Sequence, residues 1–249
     1  MQYGIAHQSM VSLRENPSHP SEQISQVLYG ELFKVLEVRK NWSRIRLAFD
    51  KYEGWMDNNQ YILCTEEQYK EYNNITPILS NNLVDFVLMP NDQLMPVSQG
   101  ICTHTMSILG HNFEGTTVEG KQSKDNLIIT ALSYLNTPYQ WGGKTPFGID
   151  CSGFSQMVYK LNGYQLKRDA SQQATQGEAL SFIEESEPGD LAFFDNEEGR
   201  ITHVGIMMQD NYIIHAHGKV RIDRIDHTGI FNSEKRTHTH KLRVIKRII

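Results

Sequence analysis

Cys151 and three downstream histidines, His203, His215 and His217, are the residues of this chain whose types and spacing suit nucleophilic chemistry. A thiol attacks as its thiolate, and the unpaired N–H groups at a helix N-terminus favour that form. Phe154, Met157, Val158 and Leu161 recur at the spacing of one apolar helical face, and Asn162-Gly163 closes the segment. Cys151 shares that inward face and stands at the tip of the expected helix. Free cysteine is ordinarily a buried packing residue. A base within reach is what separates a nucleophile from such a residue.

Two apolar runs of strand length supply the base. Residues 201–208 (ITHVGIMM) and 211–217 (NYIIHAH) flank a turn at Gln209-Asp210. A hairpin centred on Gln209 sets His203 directly opposite His215, each six residues from the centre. Cross-strand partners share a face, so the two imidazoles lie side by side. His217 has the parity of His215, and alternation alone does not choose between them. His238 and His240 would share one face of a later strand, which reads as exposed surface.

These residues fall within a set of motifs. Tyr139-Gln-Trp-Gly-Gly143, Asp150-Cys-Ser-Gly153, Arg168-Asp-Ala-Ser-Gln-Gln173, Pro188-Gly-Asp-Leu-Ala-Phe-Phe194, His203-Val-Gly-Ile206 and Ile214-His-Ala216 follow in that order. Together they resemble the NlpC/P60 cysteine peptidases, a papain-like group that cleaves bacterial cell-wall peptides. The resemblance implies Cys151 as nucleophile, His203 as base and His215, rather than His217, as the third polar residue. It implies that Tyr139 stabilises the reacting carbonyl and that Trp141 walls the pocket. Asp150 suits a helix N-cap; in the branch that trims free peptides the matching aspartate also meets the substrate's amino terminus. Ser152 and Ser171 match substrate-contact positions of that branch. No metal or organic cofactor is implied.

Composition fits this assignment. The chain has 249 residues, enough for one large or two to three small domains with a real core. A formal charge of −5 provides no basic field for nucleic acid. Three widely spaced cysteines, Cys64, Cys102 and Cys151, argue against a disulfide framework or a structural zinc site. No apolar run reaches membrane-spanning length. The first ten residues have neither a basic region nor an apolar core, so as written the chain is expected in the cytoplasm, or outside if a signal segment was removed.

The expected architecture is α+β, a papain-like catalytic domain preceded by one or two small all-β barrels. Short β-type runs within residues 1–64 suggest a barrel. Gly30-Glu-Leu-Phe-Lys-Val-Leu-Glu, Trp42-Ser-Arg-Ile-Arg and Glu53-Gly-Trp-Met resemble a bacterial SH3 domain. Residues 65–72 suit a linking helix with Thr65 as N-cap, residues 73–120 a degenerate second barrel, and residues 121–249 the catalytic domain. Its opening helix carries Leu127, Ile128, Ala131, Leu132 and Leu135 on one stripe.

The segment 14–26 resembles the first SH3 domain of the murein-peptide dipeptidyl-peptidase branch. There a glutamate closes the cleft and pairs with the substrate's free α-amino group, a role that falls on Glu22; Tyr52 or Tyr61 would line the same wall. The resulting expectation is a peptidase that cuts the γ-D-glutamyl-L-diamino acid bond of free murein peptides, releasing L-Ala-D-Glu. Its substrate would be L-Ala-γ-D-Glu-L-Lys or the diaminopimelate analogue, with neither nucleic acid nor membrane as partner. The alternatives are an exported endopeptidase acting on intact peptidoglycan, a non-catalytic wall-peptide binding module, and acyl transfer or hydrolysis on a lipid or small amide.

Overall fold

The computed structural model describes residues 1–249, which form two compact units, Met1–Lys121 and Gln122–Ile249. In the first unit, β1 (Gln2–Ala6), β2 (Met10–Arg14), β3 (Gln23–Leu28), β4 (Leu32–Val38), β5 (Trp42–Leu47), β6 (Glu53–Asp57) and β7 (Tyr61–Cys64) pair antiparallel. Their order is β3-β2-β6-β5-β4-β1-β7. Alternate residues, among them Val11, Leu13, Phe33, Val35, Ile45 and Leu47, meet in one core, the arrangement of a small SH3-like domain. Tyr52 and Tyr61 pack against that core from its edge.

The helix α1 (Glu66–Asn73) starts at a capping box. The Thr65 side chain accepts from the Gln68 N–H while the Gln68 side chain accepts from that of Thr65, and Glu66 and Glu67 occupy the first turn. Beyond it, β8 (Ile78–Ser80), β9 (Val84–Leu88), β10 (Leu94–Ser98), a short α2 (Met106–Leu109), β11 (Asn112–Phe113) and β12 (Thr117–Glu119) make a three-stranded and a two-stranded sheet. Pro96 is tolerated because β10 is an edge strand. These small sheets are tied to the first one at Tyr29-Gly30. Cys102 N–H donates to the Tyr29 carbonyl (3.0 Å), Thr105 Oγ1 to that of Gly30 (2.9 Å), and the Tyr29 hydroxyl meets His111 Nδ1 (2.8 Å).

The second unit opens with α3 (Asp125–Ser133), followed by a hairpin of β13 (Lys144–Thr145) and β14 (Gly148–Ile149), α4 (Cys151–Leu161) and α5 (Ala170–Gln173). On α3 only Leu127 and Ala131, with Tyr134 just beyond, are buried; Leu132 and Leu135 are each 41% exposed, so the apolar stripe is narrower than expected. The helix α4 is buried along its whole length, as its apolar face and small first-turn residues allow. Then come β15 (Glu178–Leu180), β16 (Leu191–Asp195), β17 (Ile201–Met207), β18 (Tyr212–His217), β19 (Lys219–Ile225), β20 (Gly229–Asn232) and β21 (Thr237–Arg247).

The strands β16 to β20 are joined in sequence, and β21 pairs with both β16 and β20, so six strands close on themselves. Each contributes to one apolar cluster: Ala192 and Phe194, Met207, Ile213, Ile225, Ile230 and Ile245. That cluster fills the inside of the closed sheet. His203 pairs with Phe194, and Gly205 and Met207 follow at alternate positions, so the His203 imidazole is on the inner face above the apolar plug.

The register of the β17–β18 hairpin differs from expectation by one residue at its centre. Gly205, and not His203, stands opposite His215. The connection takes four residues, 208–211, with Asp210 and Asn211 both at φ 57°, a left-handed conformation that Asp and Asn accept more readily than most residues. Moving the centre by one residue moves every partner by two. His203 and His215 therefore keep a common face and meet diagonally.

Gly205 makes that diagonal contact possible. A Cβ there would lie 2.9 Å from the His215 Cβ and 2.7 Å from Ile213 Cδ1. Gly205→Ala should therefore displace His215, destabilise the catalytic unit by about 1–3 kcal/mol, the scale of core overpacking, and lower kcat. Urea unfolding and steady-state kinetics check this; wild-type values for both would refute the packing argument.

Candidate active site

The nucleophile helix is anchored by one carboxylate. Asp150 is its N-cap, at φ −92° and ψ 175°, and Oδ1 accepts from the Gly153 N–H at 2.6 Å. Oδ2 accepts from the Gly142 N–H at 2.8 Å, which ties the aromatic-glycine loop to the helix tip. Arg168, 1% exposed, donates from Nη1 to Oδ1 (3.0 Å) and from Nη2 to Oδ2 (2.6 Å). The same Nη1 donates to Ser152 Oγ at 2.9 Å, and Gln173 Nε2 donates to the Ser152 carbonyl at 2.9 Å. Gly153 admits the loop: a Cβ there would sit 2.3 Å from the Gly143 carbonyl oxygen.

Cys151 is the first residue of α4 and is buried. The backbone of Val204, the residue after His203, lies close enough to its thiol to favour the thiolate, which brings nucleophile and base strand together. The expected thiolate is not the resting form. Burial, then the Asp150 charge, push the thiol up to about 12, against the opposing pull of the Val204 backbone and Arg168.

The histidines form a chain. His203 Nε2 and His215 Nδ1 lie 2.8 Å apart, and His215 Nε2 is 3.0 Å from Asp223 Oδ2. Asp223 in turn accepts from Arg221, through Nε to Oδ2 (2.6 Å) and Nη2 to Oδ1 (2.9 Å). With Nε2 engaged by His215, Nδ1 is the His203 nitrogen left for the thiol. Burial, and then the neighbouring His215, His240 and His217, hold the His203 imidazolium well below its ordinary range. Burial lowers His215 as well, with Asp223 pulling the other way. His217 is half-buried, its ring centroid 6.3 Å from that of His215 and 6.5 Å from that of His203.

The pair on β21 does not behave as a surface pair. His238 is exposed and bonds Asp226 (2.9 Å), but His240 stacks on His203 with centroids 4.2 Å apart and 26° between the planes. A bulge explains the split. Ile230 pairs with His240 and Phe231 with His238, so the two histidines follow adjacent partners and point to opposite faces. Burial, then His215 and His217, take the His240 pKa down to about 3.

Residues 136–239 match the model of the NlpC/P60 family, and residues 13–60 that of the bacterial dipeptidyl-peptidase SH3 domain. The chain carries an NlpC/P60 domain, preceded in sequence by a bacterial dipeptidyl-peptidase SH3 domain. A Lysinibacillus sphaericus protein named dipeptidyl-peptidase 6 is 27% identical over 238 residues, covering 83% of this chain and 84% of the relative. A Bacillus subtilis protein named gamma-D-glutamyl-L-lysine dipeptidyl-peptidase is 28% identical over 218 residues, covering 77% and 71%. The crystal structure of an NlpC/P60 family protein from Bacillus cereus superposes with a TM-score of 0.75 over 99% of both chains at 18% identity, a likeness of fold.

Within this NlpC/P60 domain Tyr139 lies beside the nucleophile. It is held by a hydrogen bond from its N–H to the Gly218 carbonyl (3.0 Å) and a bridge to Ile149. Burial, then Cys151 and Asp150, raise its phenol, so Tyr139 keeps a proton to donate. Trp141 is 61% exposed at the surface of the unit. Ser152 is buried in the Asp150–Arg168 network, whereas Ser171 is exposed on α5. Glu22 belongs to the first unit, exposed just before β3, its carbonyl accepting from the Glu15 N–H (3.0 Å). The Tyr61 hydroxyl bonds Ser43 Oγ at 2.8 Å. No group of three His, Cys, Asp or Glu side chains is arranged to hold a metal ion.

Four residues of the site had no role in the sequence reading: Arg168, Arg221, Asp223 and His240. Arg168 stands in the quoted RDASQQ motif, and Arg221 and Asp223 follow His215 at even spacing, so parity put them on its face. The pKa directions set the pH behaviour of this NlpC/P60 site. A base whose folded pKa is depressed stays neutral until pH falls below 6.5, the ordinary imidazole value, and is lost only as pH passes its lowered value. The acid limb of kcat/KM, measured between about pH 4.5 and 7.5, should therefore have its midpoint below 6.5. A midpoint at or above that value contradicts a buried His203 base.

Proposed function

We propose that this protein hydrolyses the bond between the γ-carboxyl of D-glutamate and an L-diamino acid in free murein peptides, releasing L-Ala-D-Glu. The observation that carries the chemistry is the buried His203–His215 pair, with His203 one residue before Val204, whose backbone acts on the Cys151 thiol. The substrate class is supported by relatives named gamma-D-glutamyl-L-lysine dipeptidyl-peptidase, whose likeness runs through both units rather than the catalytic domain alone.

Each group then has one task. Cys151 Sγ attacks the γ-carbonyl carbon as its proton passes to His203 Nδ1, forming a C–S bond and a tetrahedral oxyanion. The Cys151 N–H is one of the first-turn donors that a helix leaves unpaired, and with the Tyr139 hydroxyl it stabilises that oxyanion. Collapse breaks the C–N bond, and His203 returns the proton to the departing α-amine of the diamino acid. Water, deprotonated by His203, then cleaves the thioester and frees L-Ala-D-Glu. His215 holds His203 in orientation throughout, as the third member of a triad does.

Exclusion of longer substrates rests on Glu22, through a charge-assisted bond to the free α-ammonium of L-Ala. Asp150 adds negative potential at the helix tip, although its oxygens are already engaged by Arg168, Gly142 and Gly153. Capping the amine of L-Ala-γ-D-Glu-L-Lys with an acetyl group should make it a very poor substrate, and Glu22→Gln should lower kcat/KM for the free peptide by roughly ten- to a hundredfold. Product analysis by mass spectrometry on both peptides checks this. Equal rates would leave a cysteine peptidase but remove the dipeptide-releasing reading.

A further inference from the structure

The hydrogen bonds around His215 have only one consistent assignment of protons. An ionised carboxylate is an acceptor alone. Asp223 is 5% exposed; burial pushes its pKa up, but the bonds from His215 and Arg221 together bring it below the ordinary carboxylate value, so it is ionised. Oδ2 therefore receives a proton from His215 Nε2, besides the one from Arg221 Nε. Neutral His215 then has a bare Nδ1. Its partner, His203 Nε2, must be the donor across their 2.8 Å contact. Neutral His203, with its hydrogen on Nε2, is left with a bare Nδ1, which is the lone pair the Cys151 thiol requires.

We propose that Asp223, clamped by Arg221, is a positioning residue that fixes the tautomers of both histidines and so aims the basic lone pair of His203 at Cys151. The fold sets up this contact. Arg221 pairs directly with His215 across β18 and β19, and Asp223 follows two positions on, on the same face. Without the carboxylate His215 is free to carry its hydrogen on Nδ1 and donate to His203 Nε2. His203 then holds its own hydrogen on Nδ1, where it opposes the thiol proton instead of accepting it. The other charged or titratable groups around His215 are His217, His240 and Arg221, the last also bonded to Glu234 (3.4 Å). None of them is an acceptor held at Nε2.

The inference rests on the cysteine-peptidase reading, and its test is chosen so that the two fail separately. Two-bond ¹H–¹⁵N spectra of histidine-labelled wild-type protein, recorded at neutral pH, report the tautomers without turnover. Both His203 and His215 should carry their hydrogen on Nε2; a hydrogen on His215 Nδ1 overturns the proposal even in a fully active enzyme. In Asp223→Ala, His215 should populate both tautomers, with kcat down about 10- to 100-fold, the scale of losing a carboxylate that orients a metal-bound histidine, and KM little changed. Because Asp223 acts through His215, the double variant with His215→Ala should be no slower than His215→Ala alone. If Asp223→Ala slows that background by its full factor, the carboxylate is only structural. Should Asp223→Ala not fold, the wild-type spectrum decides by itself.

Discussion

A buried imidazole must find partners for both ring nitrogens, and that requirement organises the catalytic unit. Closure of β16 to β21 makes an interior with an apolar plug of Phe194, Met207, Ile213 and Ile245 and a polar mouth above it. His203 and His215 are 6% and 0% exposed in that mouth. Unpaired polar groups there would be costly. The solution is a relay of partners, each satisfying the last: His203 to His215, His215 to Asp223, Asp223 to Arg221, and Arg221 to Glu234 near solvent. The stacked His240 closes the remaining face of His203. A base held this way is rigid and stays neutral at physiological pH.

The helix tip obeys a different balance. A helix N-terminus stabilises a nearby anion by about 0.3–2 kcal/mol. Burial, with the Asp150 charge, acts in the other direction and pushes the Cys151 thiol up to about 12. Desolvation wins. The thiol therefore stays protonated until a base accepts its hydrogen in concert with attack, which is why the position of the His203 lone pair matters so much. Asp150 contributes on both sides: it raises the thiol, yet with Arg168 it fixes the loop and helix that present Cys151.

The parts of this site that were legible in the sequence are those set by local pattern. Apolar spacing placed Cys151 at the start of α4, and two-residue alternation put His203 and His215 on one face. Parity survived a wrong hairpin centre, because a one-residue shift of the centre moves partners by two. It failed on β21, where a bulge sends His238 out and His240 in. Arg168 and Asp223 were missed for a related reason. Their role lies in pairing with a partner on another element, of Arg168 with Asp150 and of Asp223 with His215, and a charged residue seen in isolation reads as solvated surface. The fold class and the SH3-like first unit were readable from closely spaced short strands. The closing of the last six strands into a ring was not, since it depends on β21 being long enough to pair with both β16 and β20.

The central claim is that cleavage passes through a thioester on Cys151, formed by proton transfer to His203. Hydrolysis of L-Ala-γ-D-Glu-L-Lys and of its diaminopimelate analogue in the presence of hydroxylamine tests it most directly. A shared acyl-enzyme is intercepted after the diamino acid has left. Both substrates should then yield the L-Ala-D-Glu γ-hydroxamate and free L-Ala-D-Glu in the same ratio, and Cys151→Ser should yield neither. Absence of hydroxamate during active turnover, or a ratio that changes with the leaving diamino acid, would contradict the account.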